Sequence, residues 1–183
     1  MAQTKTISQL NAAGTLDGSE VLPVVQGGST VKATVADIGA AAVTRAVRVY
    51  RSTNQSLTEG ATIDITFDTV LYDTNGDWDS VNDRFQPKVA GYYYIVANLN
   101  AQPTTGATQH KYAYIRKNGS AVAQWDDNRD STFRQTTLIT STVYLNGTTD
   151  YVTTQYRMNG QNGNIIGGAQ YSFFEAHLIG QTQ

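Results

Sequence analysis

From residue 47 onward the chain is written in short runs where Val, Ile, Thr and Tyr alternate with polar residues. The runs are punctuated by turn signals at Asn75-Gly76, Asn118-Gly119, Asn146-Gly147 and Asn159-Gly160. Alternation with a period of two predicts strands that bury one face. The runs fall at 47–52, 61–67, 83–85, 92–100, 111–117, 120–125, 132–145, 150–158 and 171–179, and no long stretch keeps a helical period. So many short strands, roughly nine to ten, predict an all-β antiparallel sandwich or barrel.

Residues 1–45 read differently. They are rich in Ala, Gly, Thr and Val and hold no aromatic residue, the first being Tyr50. Within them 20–26 reads as extended, Gly27-Gly28 as a tight turn and 29–33 as a returning strand. Thr34 and Asp37 have the spacing of a helix N-cap with an acidic partner, ahead of Ile38, Gly39 and three alanines, which predicts a short helix. This segment has too little apolar bulk for a core of its own, so order would require surface from another chain. The expected division is a docking or assembly segment at 1–45 and a head domain at 46–183.

Composition narrows the function classes. The 183 residues carry 13 Lys+Arg against 15 Asp+Glu with no basic run, so the charge needed to neutralise several phosphates is missing and a nucleic-acid partner is not expected. The absence of cysteine removes disulfides, thiolate zinc sites and cysteine nucleophiles. No apolar run approaches the roughly 18 residues of a membrane span. Behind Met1-Ala2-Gln3-Thr4-Lys5 there is no apolar signal-peptide core. Neither a Gly-x-Ser-x-Gly elbow nor a phosphate-binding Gly-x-x-x-x-Gly-Lys loop occurs, so acyl transfer and nucleotide hydrolysis have no support and no cofactor is expected.

At the centre of the β region stand Phe67, Asp73, Trp78, Phe85, Gly91 and Tyr93, followed by an Arg116-Lys117-Asn118-Gly119 hairpin and a closing Ser172-Phe173-Phe174-Glu175-Ala176-His177-Leu178 strand. This spacing, with the stretch Phe85-Gln86-Pro87-Lys88-Val89-Ala90-Gly91-Tyr92-Tyr93, resembles the C1q-domain signature of the TNF/C1q superfamily over residues 47–180. The departures are Ile95 and Ala97, where the family usually has aromatic residues, and a leader in place of a collagen-like stalk. The resemblance implies a jelly-roll sandwich that forms homotrimers. Independently, Phe67, Phe85 and Tyr93 are suited to fill a sandwich interior, and Gly91 to a close backbone turn into a strand.

The leader's Thr6-Ile7-Ser8-Gln9-Leu10, Leu16-Asp17-Gly18-Ser19-Glu20, Leu22-Pro23-Val24-Val25-Gln26-Gly27-Gly28 and Thr34-Val35-Ala36-Asp37-Ile38 are similar to N-terminal segments of tailed-phage fibre and tail proteins. Together the two resemblances imply a phage or prophage virion protein, made in the bacterial cytoplasm. It would dock on other virion proteins through 1–45 and display a trimeric, non-enzymatic head to a host-surface glycan or protein. The alternatives are a structural decoration of head, collar or baseplate that binds no receptor, and a glycan-degrading tailspike-type enzyme.

Four groups of residues bear on possible chemistry. Asp73, Asn75, Asp77 and Asp79 alternate like the opening of a calcium loop, but the twelfth position is Arg84 instead of the bidentate glutamate, so an ordinary turn is the expectation. Asp126, Asp127 and Asp130 offer the paired carboxylates of glycoside hydrolysis, yet Arg129 among them reads as a self-compensating exposed turn. His110 and His177 lack metal-ligand spacing. Of the clustered Tyr92, Tyr93, Tyr94, Tyr112 and Tyr114, the outward half is expected to pack between protomers more readily than on a sugar.

If each strand crosses the sandwich end to end, parity gathers the loops 101–110, 126–131 and 159–170 at the pole away from residue 47. Recognition concentrates on long loops held by a rigid scaffold. The expected receptor-binding residues are therefore Gln102 and Gln109 from the first loop, Asp126, Asp127, Arg129 and Asp130 from the second, and Asn159, Gln161 and Asn162 from the third.

Overall fold

The computed structural model describes residues 19–35, 45–107 and 110–181. These fall into two units on either side of residue 44. In the first, β1 (Val21–Gln26) and β2 (Ser29–Thr34) form an antiparallel hairpin in the register Val24↔Val31. Gly27 and Gly28 turn it at φ of 59° and 79°. Val21, Leu22, Val25 and Val31 remain exposed. The short helix expected around Asp37 and the alanines lies outside the described residues.

The second unit opens with β3 (Ala46–Tyr50), β4 (Gln55–Leu57), β5 (Thr62–Asp64), β6 (Thr69–Asp73), β7 (Trp78–Asp79) and β8 (Arg84–Phe85). It continues with β9 (Ala90–Pro103), β10 (Lys111–Lys117), β11 (Ser120–Asp127) and β12 (Gln135–Asn146), then β13 (Val152–Met158), β14 (Gly163–Ile165) and β15 (Phe173–Gln181). One sheet runs β4-β14-β9-β15-β3-β6, with β12 on β9. The other runs β11-β10-β13-β8-β7, with β5 on β13. Every pairing is antiparallel, and the fold is the jelly-roll sandwich expected from the strand pattern.

The core lies between the two sheets. Phe174 on β15 sits 6.2, 5.7 and 6.0 Å from the rings of Phe67, Trp78 and Phe85, and Phe85 meets Tyr93 edge-on at 5.3 Å. Alternate residues of β9, from Tyr93 through Ile95, Ala97 and Leu99 to Ala101, complete it. The signature spacing therefore places its aromatic residues in one contiguous cluster. Asp73 acts differently, accepting from the backbone N–H groups of Asn75, Asp77 and Trp78 to close the turn between β6 and β7.

Several details differ from the sequence pattern. The strand expected at 61–67 is ordered as strand only over β5, because Thr66 and Phe67 turn to meet Gln55 and Asp83. Asp83, expected at the start of a strand, has φ of 48° and cannot extend it. The short strands β4, β6, β7 and β14 were not predicted from alternation. Gly91 proves necessary for a close approach, since a Cβ there would stand 2.6 Å from the Gly180 carbonyl, where β15 is bulged against β9. Asn118 and Gly119 form the expected two-residue hairpin, with φ of 50° and 80°. Asn146-Gly147 opens a longer turn, in which Asn146 Oδ1 accepts from the N–H groups of residues 148–150.

Candidate functional site

The register of β9 fixes which loops share an end. Gly91 pairs with Leu145 and Gln181, whereas Ala101 pairs with Gln135 and Ile165. The loops around 104–107, 128–134 and 159–162 therefore lie together, away from Ala46 and Gln181. They are tied to one another: Asn159 N donates to the His110 carbonyl at 2.8 Å, Thr104 N donates to the Asn162 carbonyl at 3.0 Å, and Lys111 Nζ donates to the Arg129 carbonyl at 2.7 Å.

Of the residues expected to meet a receptor, Gln102, Asp126 and Asp130 are exposed. Gln109 lies outside the described residues. Asp127 is buried and committed to its own loop: Arg129 donates to it from the backbone and from both Nε and Nη2 at 2.8–3.1 Å. Those bonds hold its carboxyl far below the usual carboxylate range. That is the reverse of the raised acid that glycoside hydrolysis needs. Asn159 Oδ1 accepts from Arg157, Gln161 Oε1 from Thr105, and Asn162 Oδ1 from Glu59 N, so these amides also stiffen the loops.

The four residues of the calcium-like stretch do not converge. Asp77 is 1% exposed and pairs through both oxygens with Arg45, while its pKa is pushed up by burial. Asp79 caps Val81 and Asn82 and pairs with Arg84. No cluster of three or more metal-ligating His, Asp or Glu residues occurs among the described residues. Lys111 and Arg45, each buried beside a carboxylate, were missed by sequence reasoning, because their partners are 16 and 32 positions away.

The tyrosine cluster is divided among three places. Tyr93 is buried. Tyr92 and Tyr94 face outward from the seven-stranded sheet, where Tyr92 packs on Tyr144 with ring centroids 5.5 Å apart. Leu138, opposite Asn98 in the register, adds an aliphatic side chain to that face, where Tyr92 is 48% and Leu138 59% exposed. Tyr112 and Tyr114 lie on the outward face of the six-stranded sheet. A hollow of about 470 Å³ on that sheet is lined by Asp64, Asp83, Arg84, Tyr151, Thr153 and Gln155.

The fold and these surfaces define a jelly-roll domain with an uncovered aromatic face on one sheet and a bundle of polar loops at one end. A C1q-domain family model matches residues 46–179, and the chain belongs to the C1q-domain family. The globular domain of a zebrafish complement 1qA protein superposes with a TM-score of 0.57 at 16% identity, covering 76% of this chain and 100% of its own. The Eiger TNF of S. frugiperda gives 0.57 at 9% identity, covering 76% and 95%, and murine APRIL gives 0.56 at 7%, covering 75% and 100%. At these identities the structural likeness is one of fold. No curated protein sequence matches the chain.

Proposed function

We propose that this chain is the homotrimeric, non-enzymatic head of a phage or prophage virion protein, docked through residues 1–45 and meeting a host-surface glycan or protein with its far end. The observation that carries the trimer is the face formed by Tyr92, Tyr94, Leu138 and Tyr144, which is aromatic and aliphatic yet uncovered in the single chain. Large apolar patches of this kind mark association surfaces. The virion setting draws on the leader's resemblance to tailed-phage segments and on its exposed hairpin. Threefold association would present the loop end three times, so individually shallow contacts gain by avidity, by about 10²–10⁴ in favourable geometry.

The test is competition of phage adsorption by the purified full-length protein, with its mass measured in the same preparation. A trimer that competes supports the reading. A trimer that never competes reduces the protein to a structural decoration of the particle.

A further inference from the structure

Strand β10 carries a regular ladder of rings on its outward side. His110 and Tyr112 are 6.2 Å apart by ring centroid, Tyr112 and Tyr114 6.3 Å, and both pairs are within 12° of parallel. The alternation of β10 sends Lys111, Ala113 and Ile115 inward and leaves Tyr112, Tyr114 and Arg116 on the outer surface.

The register sets a hydrogen-bonding group on each side of both tyrosines. Tyr112 lies between Asp126 of β11 and Arg157 of β13, whose guanidinium is 5.9 Å from the Tyr112 ring centroid. Tyr114 lies between Gln124 and Gln155, and Gln155 Nε2 donates to Asp64 Oδ1 at 2.7 Å on the next strand. Arg116 Nη1 donates to Gln155 Oε1 at 2.5 Å. Gln155 and Asp64 also line the 470 Å³ hollow, where the Arg84 guanidinium lies 4.7 Å from the Tyr151 ring centroid. The hollow also holds Asp83 in a left-handed backbone conformation, uncommon for a residue other than glycine.

We infer that this outward face, from Asp126 and Tyr112 through Tyr114 to the hollow at Gln155 and Asp64, is a binding site for an oligosaccharide. A pyranose presents an apolar C–H face and a rim of hydroxyls that both donate and accept. The half-exposed outer edges of the stacked tyrosine rings supply an apolar ridge for the first, and the flanking carboxylates, amides and guanidiniums serve the second. The hollow falls in the range of small-molecule sites, which pair aromatic walls with a few placed polar groups.

Charge distinguishes this ligand from others. Asp64 and Asp126 offset Arg116 and Arg157, so a polyphosphate finds no net attraction, and an apolar peptide would strip water from the flanking charges without replacing it. The inference deepens the receptor-tip reading and takes its biological setting from it: the site adjoins the loop end through His110 and Asp126, but most of it lies on strands.

The experiment uses full-length protein on a printed array of bacterial O-antigen and capsular oligosaccharides. Wild type is expected to bind at least one, and Tyr112→Ala with Tyr114→Ala to weaken that binding by about tenfold or more. Gln155→Ala, which leaves both rings in place, is expected to weaken it several-fold, so the test does not depend on the double variant folding. Val70→Ala, exposed on β6 of the other sheet, should retain binding. Absence of any bound oligosaccharide, or binding indifferent to both the tyrosine and Gln155 changes, overturns the inference. In the adsorption assay, a double variant that competes as well as wild type overturns the inference and spares the receptor-tip reading. Wild type that binds the array but fails to compete does the opposite.

Discussion

Lys111 Nζ stands 3.6 Å from Asp127 Oδ2 with both residues buried, and it also holds the Arg129 carbonyl. A single buried ion pair thereby anchors the loop after β11 to the start of β10. Asp127→Asn removes the carboxylate beside the buried Lys111 ammonium, and removing one partner of such a pair costs about 3 kcal/mol. Urea denaturation should show this loss while the fold is retained.

The same carboxylate gives the fold an acid limit. Asp127 titrates far below its unfolded value of about 3.9, so below that value the unfolded chain binds the proton more readily. The stability it contributes is complete above pH about 4 and is lost as pH falls toward the folded pKa. Melting temperatures recorded downward from pH 5 should fall for wild type, with a shallower slope in Asp127→Asn.

Alkaline pH acts through two core phenols. Burial pushes Tyr93 and Tyr156 up to about 12, while in the unfolded chain they titrate near 10. The folded state keeps protons that the unfolded state releases, so stability is intact below pH about 10 and declines toward 12. The two tyrosines differ in their hydroxyls. Tyr93 Oη donates to the Val89 carbonyl at 2.8 Å, whereas Tyr156 Oη, beside Thr137, makes no bond of normal geometry. Tyr93→Phe should cost about 1 kcal/mol at pH 7 and Tyr156→Phe close to nothing, measured by denaturant titration. Either change should flatten the alkaline decline.

Gly91 and Gly180, diagonal neighbours across the β9–β15 bulge, have opposite tolerance. A methyl group on Gly91 would meet Gly180 O at 2.6 Å and Leu178 Cδ1 at 2.7 Å, while one on Gly180 meets nothing within 4 Å. Gly91→Ala should cost about 2 kcal/mol or more and Gly180→Ala well under 1, compared by thermal melts.

The elements with strict alternation and bulky residues were legible in the sequence. Phe67 and Phe85 stand at family spacing because they meet around Phe174, and Tyr93 because it packs on Phe85; β10 and β13 alternate in burial because their sheet buries one face, while β9 buries both faces over residues 97–101. β4 escaped notice because three residues are too few to show a period, and β6 because its side chains are exposed or half-buried with little contrast between faces. Strand parity showed that the tyrosines split inward and outward. It could not show that Tyr92 and Tyr112 belong to different sheets, which depends on long-range pairing. The ion pairs Arg45–Asp77 and Lys111–Asp127 were hidden for the same reason, so Asp127 read as an exposed loop carboxylate when it is the anchor of its loop.

The central claim, a head assembled through the aromatic face of the seven-stranded sheet, is tested most directly by light scattering of the full-length protein beside Tyr92→Ser with Tyr144→Ser. The account predicts three times the 19.9 kDa chain mass for wild type and dissociation toward one chain in the variant, with unchanged circular dichroism. A wild-type mass of 19.9 kDa, or a trimer indifferent to both substitutions, would contradict it.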